Sequence, residues 1–183
     1  MIYGKSIRFR APEKSDIPQY VEWLNDPEVI RGLMLPHTMG REDETIWFEN
    51  MMKRPLEEHP MVIEVKESKG WQMVGNVGFH QLDWLSANAE VGIFIGNKSY
   101  WDKGVGTEAI KLMLEHGFNN LNLHRIWLRV HATNLRAIRC YEKAGFVKEG
   151  SFRDGEFRYG KYINVDIMSV IRTEWKIEMA HEV

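Results

Sequence analysis

The chain has 183 residues, enough for one compact domain with a full hydrophobic core and too few for two ordinary ones. Hydrophobic residues make up 44% of it and seven positions are Trp, which excludes a disordered chain. Twenty-four Lys and Arg against 26 Asp and Glu leave a net charge of −2, without the basic excess of a phosphate-backbone binder, so nucleic acid is not an expected partner.

The first predicted strand runs from Ile7 to Ala11. Ser15 then has the character of an N-cap, with Pro18 tolerated in the first turn and Ile17, Tyr20, Val21 and Leu24 at helical spacing. Asp26-Pro27 is read as the stop of this helix. A second helix is predicted from Glu42 to Lys53, acidic at its start and basic at its end as the helix dipole prefers, with Pro55 beyond it. Between the two helices lies Val29 to Gly40, irregular and rich in Met, Leu and His. From Met61 the pattern changes to strands over Met61 to Val65, Gln72 to Gln81 and Ala89 to Ile95, separated by turn residues. A long helix is predicted from about Gly104 to Asn120; its polar positions Glu108, Lys111, Glu115 and Asn119 form one narrow stripe, so most of the cylinder faces a sheet. A strand over Ile126 to Val130, a helix over Leu135 to Ala144 with Gly145 as its stop, and two final strands complete the series. Asp154-Gly155 signals the hairpin between those last strands, and the second of them ends near Ile171. With no internal repeat or linker, this order reads as a single α+β domain over residues 1–183.

Cys140 is the only cysteine, which excludes an intrachain disulfide and a cysteine-based zinc site, and no metal is expected. The segment Met1 to Arg8 lacks the apolar run of a signal peptide, and no stretch of ~20 apolar residues is present to span a bilayer. The expected setting is a reducing cytoplasm, with no membrane partner.

Chemistry enters at Tyr100-Trp101-Asp102-Lys103-Gly104-Val105-Gly106-Thr107-Glu108-Ala109, which joins a buried strand to a buried helix. Glycines let the backbone approach a ligand, the first helical N–H groups have no intrahelical partner, and the positive end of the helix dipole lies there. Together these make a site for a phosphate or diphosphate, with Lys103 adding a mobile charge; for a lone Gly-x-Gly, a plain tight turn at Gly104 and Gly106 is the commoner reading. The Walker pattern is absent, and the dinucleotide fingerprint lacks its third glycine and its early parallel βαβ unit.

Downstream, a strand ends at Asn134, Ala137 and Tyr141 follow on a helix, and Glu142-Lys143-Ala144-Gly145-Phe146 closes it. With the glycine turn upstream, this resembles the coenzyme-binding half of the GNAT N-acetyltransferase superfamily. Gly145-Phe146, Glu149-Gly150, Arg153-Asp154-Gly155 and Tyr162 make it similar to the branch of ribosomal-protein N-terminal acetyltransferases and spermidine acetyltransferases. The resemblance implies the GNAT fold, a mixed, mostly antiparallel seven-stranded sheet with about four helices and a splay between the two central strands. It implies acetyl-CoA as co-substrate and direct transfer onto a primary amine: a polyamine, a protein N-terminal amine or a small-molecule amine. A non-catalytic acyl-CoA-binding module is the alternative, and a homo-oligomer is left open. Two positions depart from the family pattern: Trp101 stands where Gln or Arg usually opens the phosphate loop, and Asp102 replaces a common glycine.

On this resemblance, Tyr141 is the acid that protonates the departing thiolate. Glu90, on the face of its strand shared with Gly92 and Phe94, takes the amine's proton, directly or through water; some relatives carry a glutamate on the next strand, where this chain has Arg129. His131 is a secondary base candidate. Coenzyme contacts are expected from Phe94, Ile95, Lys103, Gly104, Val105, Gly106, Thr107, Glu108, Asn134, Arg136, Ala137, Tyr141 and Lys143, with Arg139 as a further cation. Asn134 also suits an N-cap. Acceptor recognition is expected from Val29 to Thr38 and from the hairpin, with Glu28, Asp154 and Glu156 as attracting carboxylates.

Overall fold

The computed structural model describes residues 1–33 and 37–175. Among the described residues, eight strands form one mixed sheet in the order β1-β2-β3-β4-β5-β6-β8-β7. β1 (Ile2–Tyr3), β2 (Ile7–Arg10), β3 (Met61–Glu67), β4 (Gly70–Asp83) and β5 (Asn88–Ile95) pair antiparallel in turn. β6 (Arg125–His131) lies parallel to β5, and the hairpin of β7 (Val147–Arg158) and β8 (Lys161–Ile171) closes the sheet through β8.

Strand alternation sorts the helices onto two faces. Ala89, Val91, Ile93 and Ile95 of β5 face the main core, where α4 (Val105–Glu115) buries Ala109, Ile110, Met113 and Leu114 and α5 (Leu135–Lys143) adds Tyr141. Phe94 points to the other face and meets Tyr20 and Trp23 of α1 (Ile17–Leu24) edge-on. α3 (Arg41–Met51) packs Phe48 and Met51 against Ile17 on that side.

Several expected boundaries move for physical reasons. The eighth strand is β1, whose two residues are too few to show a period. Asp26-Pro27 ends α1 but also starts α2 (Pro27–Ile30): the Asp26 side chain accepts the Glu28 N–H at 2.8 Å, and proline suits a first helical position. Ser15 does not cap α1; a 3-10 turn at Lys14–Asp16 precedes the helix, and the Asp16 carboxylate accepts the Glu13 N–H at 2.8 Å. The long helix is α-helical to Glu115 and finishes in a π-turn at His116–Asn120.

The hairpin position is corrected as well. Arg158 pairs with Lys161, so the turn is Tyr159-Gly160, both with positive φ (50° and 79°) as a two-residue hairpin turn requires. Asp154 and Gly155 lie in a bulge instead, where the register shifts between Phe152 and Glu156. Asp154 has φ 52° there, and its N–H donates to Asn164 Oδ1 at 2.9 Å. Of the irregular segment between α1 and α3, Met34, Leu35 and Pro36 lie outside the described residues.

The feature that positions the site is where β5 and β6 part. They pair only through Asn88–Arg125, Ala89–Ile126 and Glu90–Trp127. Beyond Glu90, β5 continues on β4 to Ile95, while β6 continues on β8 to His131. A wedge therefore opens between them, closed on the core side by the first turn of α4 and the second turn of α5, where Thr107 Oγ1 donates to Cys140 Sγ at 3.4 Å.

Candidate active site

The ladder phase shows which backbone groups face the wedge. Gly96 N–H donates to Val74 O at 2.9 Å, so Phe94, Gly92 and Glu90 exchange their bonds with β4. Ile93 and Ile95 consequently turn their N–H groups toward the space that β6 has left; the Ile95 carbonyl accepts the Trp101 indole N–H at 2.7 Å. Of the two expected β5 contacts, Ile95 keeps a free amide. Phe94 does not: its backbone belongs to the sheet and its ring to α1.

The glycine turn leads into α4 with Asp102 at φ 58° and Gly104 at φ 82°. A Cβ on Gly104 would meet nothing within 4 Å, so the backbone lies open to the cleft. Glu108 N–H closes the first helical bond to Gly104 O at 2.9 Å, which leaves the amides of Val105, Gly106 and Thr107 without intrahelical partners. Glu108 thus drops out of the expected anion cradle. Its carboxylate instead holds the turn after β1, accepting from Ser6 N–H at 2.8 Å and Ser6 Oγ at 2.5 Å. Val105 buries its side chain in the core and offers only its amide. Lys103 is exposed, its ammonium 5.8 Å from the Tyr100 ring centroid and outside the cleft wall.

The cation missing at position 101 arrives from another element. Arg136 of α5 stacks its guanidinium 3.6 Å from the Trp101 ring centroid, at the mouth of the loop. Arg139 and Lys143, about one turn apart on α5, line the same cleft. Asn134 does cap α5, its Oδ1 accepting Ala137 N–H at 3.2 Å, and it also lines the cleft. Tyr141 is 9% exposed, and burial holds its phenol pKa above the ordinary value. Its hydroxyl makes no hydrogen bond among the described residues, and it opens on the cleft. Cys140 is partly buried, and burial raises its thiol pKa, the opposite of an activated nucleophile.

Across the wedge, Glu90 is 8% exposed and gripped by Arg129, Nε to Oε1 at 2.8 Å and Nη2 to Oε2 at 3.1 Å. The arginine noted in sequence as a replacement is therefore the partner of the candidate base. His80 pairs with Glu90 across the ladder and opens on the cleft. His80 is exposed to the cleft, and desolvation by the surrounding protein lowers its pKa more than the Glu90 charge raises it. His131 lies outside the cleft wall, 3% exposed, with its Nε2 2.9 Å from Glu156 Oε2. Glu156 is taken by His131 and Arg158, and Glu28 by Lys98 at 2.6 Å; Asp154 is exposed in its bulge.

Sequence reasoning missed His80 and Glu44. Glu44 shares a helical stripe with Phe48 and Met51, and an acid on an apolar stripe is the signal that marks it. It lines the cleft and is 3% exposed.

Together these walls enclose a cleft of about 840 Å³, running from the start of α4, past the β5–β6 wedge, to α1 and α3. Residues 6–147 match the family model for the acetyltransferase (GNAT) domain. The chain belongs to the GNAT acetyltransferase family. As a GNAT acetyltransferase it is an amine acyltransferase whose acetyl donor is acetyl-CoA. It is similar to the uncharacterized N-acetyltransferase p20 of Bacillus licheniformis, 29% identical over 176 residues covering 95% of this chain and 97% of the relative. It is also similar to spermidine N(1)-acetyltransferase of Vibrio cholerae, 26% identical over 172 residues covering 94% and 96%. The fold matches that of spermidine N-acetyltransferase from Vibrio cholerae, solved in complex with CoA and spermine, with TM-score 0.84, 24% identity and coverage of 92% and 97%.

The described residues fit the co-substrate. Three free amides at a helix N-terminus suit a diphosphate, Arg136, Arg139 and Lys143 suit further phosphate charge, and the wedge amides suit an extended amide chain ending in a thioester. Among the described residues no group of His, Cys, Asp and Glu is arranged to hold a metal ion, and no helix is long and apolar enough to cross a membrane.

Proposed function

We propose that this GNAT acetyltransferase moves the acetyl group of acetyl-CoA onto a primary amine of a cationic small molecule, with polyamines as the leading acceptor class, by direct transfer in a ternary complex. The observation that carries the reading is the wedge itself. One open cleft contains free β5 amides, the unpaired Tyr141 hydroxyl, and the Glu90–His80 pair on the opposite wall. An open cleft also weighs against a purely coenzyme-binding module, which needs no acceptor space. The polyamine class is supported by the Glu44 carboxylate that lines the cleft and by the similarity to spermidine N(1)-acetyltransferase.

In this mechanism the α4 amides hold the diphosphate, and the thioester lies in the wedge with its carbonyl oxygen accepting from a β5 N–H. Glu90, with each oxygen already accepting one bond from Arg129, has lone pairs left to receive and orient the acceptor's N–H groups. The neutral His80 imidazole takes the ammonium proton. The amine attacks, the C–N bond forms and the C–S bond breaks. Tyr141 gives its proton to the departing sulfur and regains one from the nitrogen.

The test is thiol release from acetyl-CoA with a panel of polyamines, aminoglycosides, amino acids and peptides, with products read by mass spectrometry. Acceptor-dependent release with an N-acetylated diamine or polyamine is the expected result. Release with none of the amines would overturn the proposal.

A further inference from the structure

Five carboxylates are buried among the described residues: Asp16, Glu44, Glu64, Glu90 and Asp166. Four of them have a cation: Arg10 for Asp16, Arg8 and Arg10 for Glu64, Arg129 for Glu90 and Lys148 for Asp166. Glu44 alone has neither an ion pair nor a side-chain hydrogen bond among the described residues. A buried carboxylate without a partner is costly, and the usual remedy is the one its four counterparts show.

What Glu44 has instead is an open side. It lines the acceptor arm of the cleft, where Tyr20, Trp47, Pro60 and Asn76 make the remaining wall, while the Glu90–His80 pair lies at the wedge. Aromatic rings beside a carboxylate form a receptacle for an ammonium group carried on an apolar stem. α3 brings the charge and β5 the chemistry, so the two stations lie on different elements of one cleft. Resting on the proposed amine acetylation, we infer that Glu44 is the anchor for a second positive charge on the acceptor, distinct from the amine that is acetylated. The acceptor class this selects is the diamines and longer polyamines over monoamines.

The protonation of Glu44 supports this. Without a cation, burial alone pushes its carboxyl up to about 7, so near neutrality it is part protonated. Tyr20 from α1 feels its charge together with those of Asp16 and Arg10, and His80 from β4 lines the same cleft at the wedge. None of these brings a cation to the Glu44 carboxylate. A bound ammonium would favour the charged form and expel the remaining proton.

The experiment compares 1,4-diaminobutane with 1-aminobutane on the wild-type chain and on Glu44→Gln. Calorimetry without acetyl-CoA, at pH 7 in two buffers of different ionisation enthalpy, reads the protons released on binding. The diamine is expected to release protons from the wild type and none from Glu44→Gln. Its KM is expected to fall as pH rises through 7 in the wild type and to be about 10–10²-fold higher and flat in the variant. The monoamine KM and the acetyl-CoA affinity are expected to be the same in both. Glu44→Asp, which keeps the charge one methylene back, is expected to retain proton release with weaker binding. Equal proton release from wild type and Glu44→Gln, no release from the wild type, or equal effects on diamine and monoamine would overturn the inference. Diamine binding with proton release but no acetyl transfer would overturn the proposed function and leave the anchor standing.

Discussion

Gly104→Ala tests whether the start of α4 binds the diphosphate. Gly104 has φ 82°, a left-handed conformation that costs a residue with a Cβ about 1–2 kcal/mol. For a chain of this size, each kcal/mol lowers Tm by about 2–4 °C, so a loss of about 2–8 °C is expected from strain alone. The added methyl meets no protein atom within 4 Å and projects into the cleft where the diphosphate would approach the amides of Val105, Gly106 and Thr107. Losing one charge-assisted hydrogen bond costs about 1.5–3 kcal/mol, an affinity loss of about 10–10²-fold for acetyl-CoA. Gly145→Ala is the matched control. Gly145 has φ 101° and open space around its Cβ, but it ends α5 and does not line the cleft. Calorimetric Kd and thermal melts on both variants separate strain from ligand contact. Both should lose stability, and only Gly104→Ala should lose acetyl-CoA affinity. Wild-type affinity in Gly104→Ala, or equal losses in the two variants, would refute the reasoning.

Tyr141→Phe should keep acetyl-CoA affinity within a few fold and lower turnover by about 10–10³-fold, because it removes one positioned proton donor; unchanged turnover with a verified acceptor would make Tyr141 a packing residue. Glu90→Gln should lower turnover by a similar factor at every pH, because Glu90 orients the amine while His80 takes its proton; a pH–rate profile in which activity recovers at high pH, where free amine is abundant, would assign the proton to Glu90 instead. Arg136→Ala should weaken acetyl-CoA several fold with turnover at saturation unchanged, read by calorimetry and steady-state kinetics. Glu44→Gln should leave Tm unchanged at pH 3, where the carboxyl is protonated in both folded and unfolded chains. At pH 8 it should raise Tm, because a folded pKa raised from 4.5 to about 7 makes the forced charge cost about 3 kcal/mol.

Long-period features were legible in the sequence and pairwise ones were not. The apolar cylinder of α4, the alternation of β5 and the glycine turn between them repeat often enough to stand out from single residues. α2 was hidden because Asp-Pro serves equally to stop one helix and to start the next. The hairpin was misplaced because Asp-Gly suits a bulge as well as a turn, and Tyr159-Gly160 carries no comparable composition signal. At the site, the roles suggested for Asn134 and Tyr141 fit where these residues lie, but Glu108 was counted as a donor when the helix itself consumes its amide. Trp101 looked like a lost contact, because the stacking of Arg136 on it joins two helices' starts across the fold. Glu44 shows a related limit: its place on the apolar stripe of Phe48 and Met51 marks it in the sequence, but its lack of a cation shows only in the fold.

The most direct measurement of the central claim is a single-turnover reaction of the wild-type chain with labelled acetyl-CoA and 1,4-diaminobutane, quenched and resolved into protein, coenzyme and amine fractions. Direct transfer requires the label to pass from coenzyme to the amine in step with thiol release, with none on the protein at any time. Label accumulating on the protein before it reaches the amine, or remaining wholly on the coenzyme with every polyamine supplied, would contradict it.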